Sequence, residues 1–166
     1  PSTLYAGTEQ EGFRTSYSCH LNRWDAFIAK IEARMSDVLG IDNEYAETMQ
    51  GQRYQVGQEF KAHHDFFHPS QSYWTQEGPR GGQRSWTAMI FLNEPKEGGA
   101  TEFPNLGLGV RPQAGMMLMW NNAQPDGTLN YKTLHTGTPV TKGVKHIITK
   151  WYRQNNWLEL TSAKPS

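Results

Sequence analysis

Two histidines and an aspartate in this chain have the residue types and spacing of a metal-ligand set. His63 and Asp65 stand at i and i+2 in His63-His64-Asp65, and His135 lies well downstream. In a strand, side chains two apart leave the same face, so this imidazole and carboxylate would converge. With His135 brought in from elsewhere in the fold, two imidazoles and one carboxylate would grip a metal on one side and leave the other side open. That donor set suits ferrous iron, whereas an all-thiolate site would select zinc or a cluster. Lys145 adds a positive charge near the metal, suited to holding an acidic cosubstrate. It follows His135 by ten positions, which allows one strand, a turn at Gly143 and the start of an antiparallel partner. Thr149 and Trp151 continue the Lys145 face and would supply a hydroxyl donor and an aromatic wall.

Taken singly these signals are weak. A lone His-x-Asp is common by chance, and a lone Lys in a strand is usually a solvated edge residue. His64 would face away from a metal held by His63, with His68 as a neighbour of the site rather than a ligand. His20 and His146 read as ordinary histidines. The specificity lies in the combination and its order.

The elements that must position these residues follow from periodicity. Trp24, Phe27, Ile28, Ile31, Met35, Val38 and Leu39 recur at helical spacing, which predicts a helix capped by Asn22 and stopped by Gly40. Beyond Gly40 the pattern changes to short strand-like runs: 46–56, 59–67, 85–92, 116–120 and 146–152. Val56-Gly57-Gln58, Gly98-Gly99, Pro125-Asp126-Gly127 and Thr141-Lys142-Gly143 read as turns between them. One helix followed by many short strands predicts a mainly β domain with supporting helix, a jelly roll. The stretch from His68 to Arg84, rich in Ser, Gly, Pro and Gln but carrying Tyr73 and Trp74, reads as a lid that orders over a substrate.

The 166 residues are expected to form a single domain. Sixteen basic and sixteen acidic side chains cancel, so nothing advertises nucleic acid or an anionic membrane. The single cysteine, Cys19, cannot form an intrachain disulfide, which suits ferrous chemistry and a cytoplasmic location. No apolar run reaches spanning length, and no membrane partner is expected. Since the chain opens on Pro1, it reads as N-terminally trimmed.

From Arg14 onward the sequence resembles the catalytic domain of the prolyl 4-hydroxylases, within the 2-oxoglutarate and Fe(II)-dependent dioxygenases. The resemblance is carried by Arg14-Thr15-Ser16, by the run from Tyr54 through Lys61-Ala62-His63-His64-Asp65 to Phe67, and by Gln83-Arg84-Ser85-Trp86-Thr87 through Asn93. It continues in Glu97-Gly98-Gly99-Ala100-Thr101-Glu102-Phe103-Pro104 and in Leu134-His135-Thr136-Gly137 through Lys145, ending at Trp151. It implies a double-stranded β-helix with His63, Asp65 and His135 on Fe(II) and Lys145 on the distal carboxylate of 2-oxoglutarate. It also implies that Tyr54 and Thr149 touch that cosubstrate, while Arg84 and Trp151 line the substrate side. Tyr73 and Trp74 are candidates for closing over a proline-containing peptide. The expected reaction is proline to 4-hydroxyproline, with O2 consumed, succinate and CO2 released, and ascorbate as an optional reductant. The rivals are the same cofactor chemistry on a free amino acid or another side chain, and a jelly-roll binding module without activity. The chain departs from the family in three ways. Phe91 stands where a Tyr hydroxyl often assists the distal carboxylate, His146 replaces a frequent Trp, and the first helix and strand of the family are expected to be missing.

Overall fold

The computed structural model describes residues 1–2 and 12–162. Its strands, in chain order, are β1 (Tyr17–His20), β2 (Gln50–Tyr54), β3 (Phe60–His63), β4 (Arg84–Phe91), β5 (Glu97–Gly98) and β6 (Thr101–Phe103). They continue with β7 (Leu108–Val110), β8 (Met117–Asn121), β9 (His135–Gly137), β10 (Val140–Lys142) and β11 (Lys145–Arg153). The helices are α1 (Ala26–Leu39), α2 (Trp74–Glu77) and α3 (Trp157–Thr161).

All named strand pairings are antiparallel. A five-stranded sheet runs β1-β2-β11-β4-β8, a four-stranded sheet runs β3-β9-β6-β7, and β10 pairs with β5. Tyr54, Met89, Phe91, Trp120 and Ile147 of the larger sheet meet Phe103 of the smaller sheet and Val140 of β10 in one apolar core. Two antiparallel sheets closing on a shared core give the mainly β, double-stranded β-helix expected from the sequence.

The centre of the larger sheet is β11, buried on both faces. Lys145, Ile147, Thr149 and Trp151 face the inter-sheet cavity, while Ile148 and Tyr152 join a second core under α1 with Met35, Met49 and Ala88. Lys150 lies in that layer too. It is fully buried and donates to Glu32 of α1, whose other oxygen accepts from Asn43 Nδ2 at 2.9 Å.

Three local expectations are corrected. The N-cap of α1 is Asp25, whose carboxylate accepts from the N–H groups of Phe27 and Ile28 at 2.9 and 3.1 Å. Asn22 instead caps only the turn before it, accepting from Trp24 N. Trp24 and Phe27 are 78% and 70% exposed, and Val38 is exposed too, so the buried stripe is narrower than the apolar pattern and centres on Ile28, Ile31, Glu32 and Met35. Gly40 does stop the helix, in the left-handed conformation at φ 69°. Finally, Gly98 is not only a turn residue but part of β5. A Cβ there would lie 2.3 Å from Pro139 O, so the β5–β10 contact requires glycine.

Candidate metal centre

The pairing of β3 with β9 sets His63 directly opposite His135, and the ring centroids of the two imidazoles are 4.2 Å apart. Asp65 lies two residues past the end of β3, on a bend rather than in the strand, and turns back toward both rings. Its Oδ1 is 3.5 Å from His63 Nε2 and its Oδ2 is 3.7 Å from His135 Nε2. One ligand atom from each of the three residues falls within a 4.8 Å cluster.

The second nitrogen of each imidazole is engaged. His63 Nδ1 lies 2.7 Å from Lys61 O and His135 Nδ1 lies 2.9 Å from Thr133 O. A carbonyl only accepts, so both Nδ1 atoms carry the proton and both Nε2 atoms keep a lone pair for a metal. Phe60 stacks on His63 at 3.6 Å, and Trp120 and Phe103 wall His135 at 4.7 and 5.7 Å. Burial, helped by His63, pushes the His135 imidazole down to about 4, so it is neutral at pH 7. Burial would also raise the Asp65 carboxyl, but His135, His63 and Arg84 outweigh it and hold the group below the usual carboxylate range. Of these, Arg84 keeps its charge whatever the protonation of the imidazoles. Neutral imidazole and ionised carboxylate are the states that bind a divalent metal.

Behind Asp65 the hydrogen bonding continues through residues that spacing did not reveal. Thr87 Oγ1 donates to Asp65 Oδ2 at 2.7 Å, and Asn122 Nδ2 donates to Thr87 Oγ1 at 2.7 Å. Thr87 is on β4 and Asn122 follows β8, both fully buried.

Lys145 shares the triad's cavity together with Tyr54, Thr149 and Trp151. It is 2% exposed, and burial pulls its ammonium down to about 8. Nζ donates to Gly99 O at 2.7 Å and lies over the rings of Tyr54 and Phe91 at 5.2 and 5.6 Å. Among the described residues no carboxylate pairs with it. Contrary to the expected hairpin, β11 is not the partner of β9. Lys145 pairs with Tyr54 of β2 in the other sheet, so it faces the triad across the cavity.

A residue missed from the sequence, Gln52, links two that were expected. Tyr54 Oη donates to Gln52 Oε1 at 2.9 Å, and Gln52 Nε2 donates to Thr149 Oγ1 at 3.1 Å. Its position two before Tyr54 on the same strand face was the available signal. The indole N–H groups of Trp120 and Trp151 also border this cavity and have no hydrogen-bond partner among the described residues. An ammonium with no carboxylate partner, and N–H donors with no acceptor, among the described residues around a 2-His-1-carboxylate set fit a metal carrying an anionic, oxygen-rich ligand.

The residues expected on the substrate side divide differently. Arg84 is not free to reach a peptide carbonyl as foreseen. Its Nε and Nη2 grip the two oxygens of Glu47 at 2.7 and 2.8 Å, with the guanidinium over Trp151 at 4.1 Å. Glu47, partly buried, also accepts from Arg153, which in turn holds Glu77. Arg14, His20, Glu47, Glu77, Arg80 and Arg84 thus surround a cavity of about 310 Å³ that reaches Asp65 and Trp151. A second cavity of about 340 Å³ on the other side of Asp65 is lined by Phe13, Phe66, Phe67, Tyr73, His64 and His68. Trp74 packs behind it, tilted on Phe67 at 6.4 Å. The 68–84 stretch is less open than a plain loop. It contains α2, and Gln83 clamps its base by bonding both N and O of Phe67. His64 does turn away from the triad, stacking on Phe66 and reaching Tyr131 O at 3.3 Å. His146 is exposed.

This geometry agrees with what the chain is similar to. Residues 49–153 match the family described as the 2OG-Fe(II) oxygenase superfamily, and the chain belongs to that superfamily. It is 34% identical over 166 residues to prolyl 4-hydroxylase 5 of Arabidopsis thaliana, covering 88% of this chain and 55% of that protein. It is 32% identical over 143 residues to the prolyl 4-hydroxylase subunit alpha-1 of Gallus gallus, covering 86% of this chain and 28% of that one. The chain therefore spans about half the length, or less, of these relatives. Among solved structures it resembles the 2OG complex of the viral collagen prolyl hydroxylase from Paramecium Bursaria Chlorella virus-1. The TM-score is 0.72 at 29% identity, over 84% of this chain and 79% of that one. Family membership and the donor set together imply Fe(II) and 2-oxoglutarate as the cofactor and cosubstrate.

Proposed function

We propose that this chain hydroxylates prolyl residues within a peptide, at C4, using Fe(II), O2 and 2-oxoglutarate. The observation that carries the reading is a buried ammonium with no carboxylate partner among the described residues, Lys145, placed across one cavity from the His63, Asp65 and His135 cluster. When bound, the iron and 2-oxoglutarate supply the oxidising power that turns a C–H bond and O2 into C–OH, with succinate and CO2 released.

The chain's own residues bind, orient and exclude water. His63, Asp65 and His135 would hold the metal and, being three donors, would leave it room for further ligands. Lys145 takes the distal carboxylate of 2-oxoglutarate. Thr149 can add a hydrogen bond, because its oxygen already accepts from Gln52 and its proton is left to donate. Tyr54 is locked by Gln52 and forms a rigid floor under Lys145. Trp120, Met89 and Ile147 line the cavity with apolar surface, which keeps bulk water from the reacting centre. Arg84, fixed by Glu47, holds Trp151 in place as the wall between cosubstrate and substrate cavities.

A peptide is favoured over a free amino acid by the two open cavities that meet at Phe60 and Asp65. An extended chain can enter through the charged one, present a side chain at Asp65 and Trp151, and leave past the aromatic one. Similarity to prolyl hydroxylases supports proline as that side chain. The test is mass spectrometry of proline-rich peptides incubated with protein, Fe(II) and 2-oxoglutarate. Gain of one oxygen on proline, matched by succinate, is expected. Hydroxylation of free proline with peptides untouched would replace this reading by the amino-acid one.

A further inference from the structure

The geometry points to Asn122, just past the end of β8, as a positioning residue that orients the metal ligand Asp65 through Thr87. This rests on the reading of His63, Asp65 and His135 as the ligand set.

The link is a chain of hydrogen bonds with a direction. Asn122 Nδ2 donates to Thr87 Oγ1, and Thr87 Oγ1 donates to Asp65 Oδ2, both at 2.7 Å. The order follows from inventory. Ionised Asp65 can only accept, and Thr87 has a single hydroxyl proton, so that proton goes to Asp65 and the amide must face Thr87 with its NH2. A flipped amide would compete with Asp65 for the proton, and the Asn122 amide oxygen indeed has no partner among the described residues. Asn122 and Thr87 thus fix the rotation of the carboxylate. Thr87, Asn122 and Asp65 are buried, so water cannot readily replace a lost link. By occupying a lone pair of Asp65 Oδ2, Thr87 also disfavours bidentate metal binding by that carboxylate and helps keep the opposite positions open.

The test is the affinity of the full chain for Co(II), measured by chelator competition without 2-oxoglutarate, with the visible Co(II) spectrum and thermal unfolding recorded alongside. Thr87→Val removes the hydroxyl at constant shape and is expected to weaken Co(II) binding about 10–100-fold, with Thr87→Ser restoring it. Asn122→Asp is sharper. A new carboxylate would tighten cation binding if charge alone mattered. In the directed chain it captures the Thr87 proton instead, strips Asp65 of its donor and weakens binding to a similar extent. Asn122→Asp also decides the matter if Thr87→Val fails to fold. Tighter or unchanged Co(II) binding in folded Asn122→Asp, or unchanged binding in folded Thr87→Val, overturns the proposal. His135→Ala in the same assay separates the two levels. If it binds Co(II) as well as the unmodified chain, the ligand reading falls and takes the proposal with it. If it loses Co(II) while Thr87→Val and Asn122→Asp keep it, only the proposal falls.

Discussion

Lys145 and Lys150 lie five residues apart on β11 and point to opposite faces of the same sheet. Both are buried, and burial pulls both ammonium groups down to about 8. Their surroundings differ in one respect. On the helix side, Lys150 meets Glu32, a buried carboxylate itself steadied by Asn43. On the cavity side, Lys145 meets a carbonyl and two aromatic faces, but no carboxylate among the described residues. Burying a charge costs free energy unless an opposite charge and hydrogen bonds compensate it. The protein meets that need internally for Lys150; for Lys145 the proposed function assigns it to a ligand. On that reading one lysine belongs to the fold and the other to a binding site.

The comparison breaks most readily at Lys150. Lys150→Met leaves Glu32 buried without its cation, and denaturant unfolding should show a loss of about 3–5 kcal/mol, largely recovered when Glu32→Leu is added. Binding of 2-oxoglutarate by the metal-loaded folded protein should be unchanged. Lys145→Met should do the reverse. Its 2-oxoglutarate dissociation constant should rise about 10–100-fold, the worth of a hydrogen bond to a charged group, while the ligand-free protein is as stable as before or more so. Equal destabilisation by the two substitutions would remove the distinction.

The pH dependence sharpens the same point. The folded value for Lys145 of about 8 lies below the ordinary lysine value of 10.5, so in the ligand-free protein its charge is lost as pH rises through 8. Affinity for 2-oxoglutarate should therefore be flat below pH 8. Above it, affinity should weaken by about tenfold per pH unit until the value of the complex is reached. Isothermal titration at several pH values checks this, and Lys145→Met should abolish the slope. The smallest effect is expected at Phe91, whose ring lies 5.6 Å from Lys145 Nζ where a phenol could add a donor. Phe91→Tyr should tighten 2-oxoglutarate binding by about tenfold or less, within the worth of one hydrogen bond. Weaker binding would mean that the hydroxyl overpacks this fully buried position.

Much of this was legible in the chain. Alternation placed Lys145, Thr149 and Trp151 on one face of a strand, and β11 has them there. Helical periodicity located α1, though it overstated the buried stripe, because Trp24, Phe27 and Val38 satisfy the spacing without any neighbour to cover them. The cap at Asp25 was displaced to Asn22 because both residues are good caps and only backbone geometry chooses between them. Arg84 was found, but not its partner Glu47. A guanidinium's partner is set by whatever carboxylate the fold brings near, and Glu47 lies 37 residues away.

Residue type and order by themselves pointed to His63, Asp65 and His135 as a cluster, to the jelly-roll class and to Lys145 as a cation beside that cluster, because these depend on side-chain chemistry and on the two-residue period of strands. The tertiary structure alone decided which charges were already paired. It opposed His63 to His135 across β3 and β9, put Lys145 in the facing sheet, and ran Asn122 and Thr87 in behind Asp65. Such links join residues far apart in the chain, and their energies depend on burial and donor direction, which no local pattern encodes.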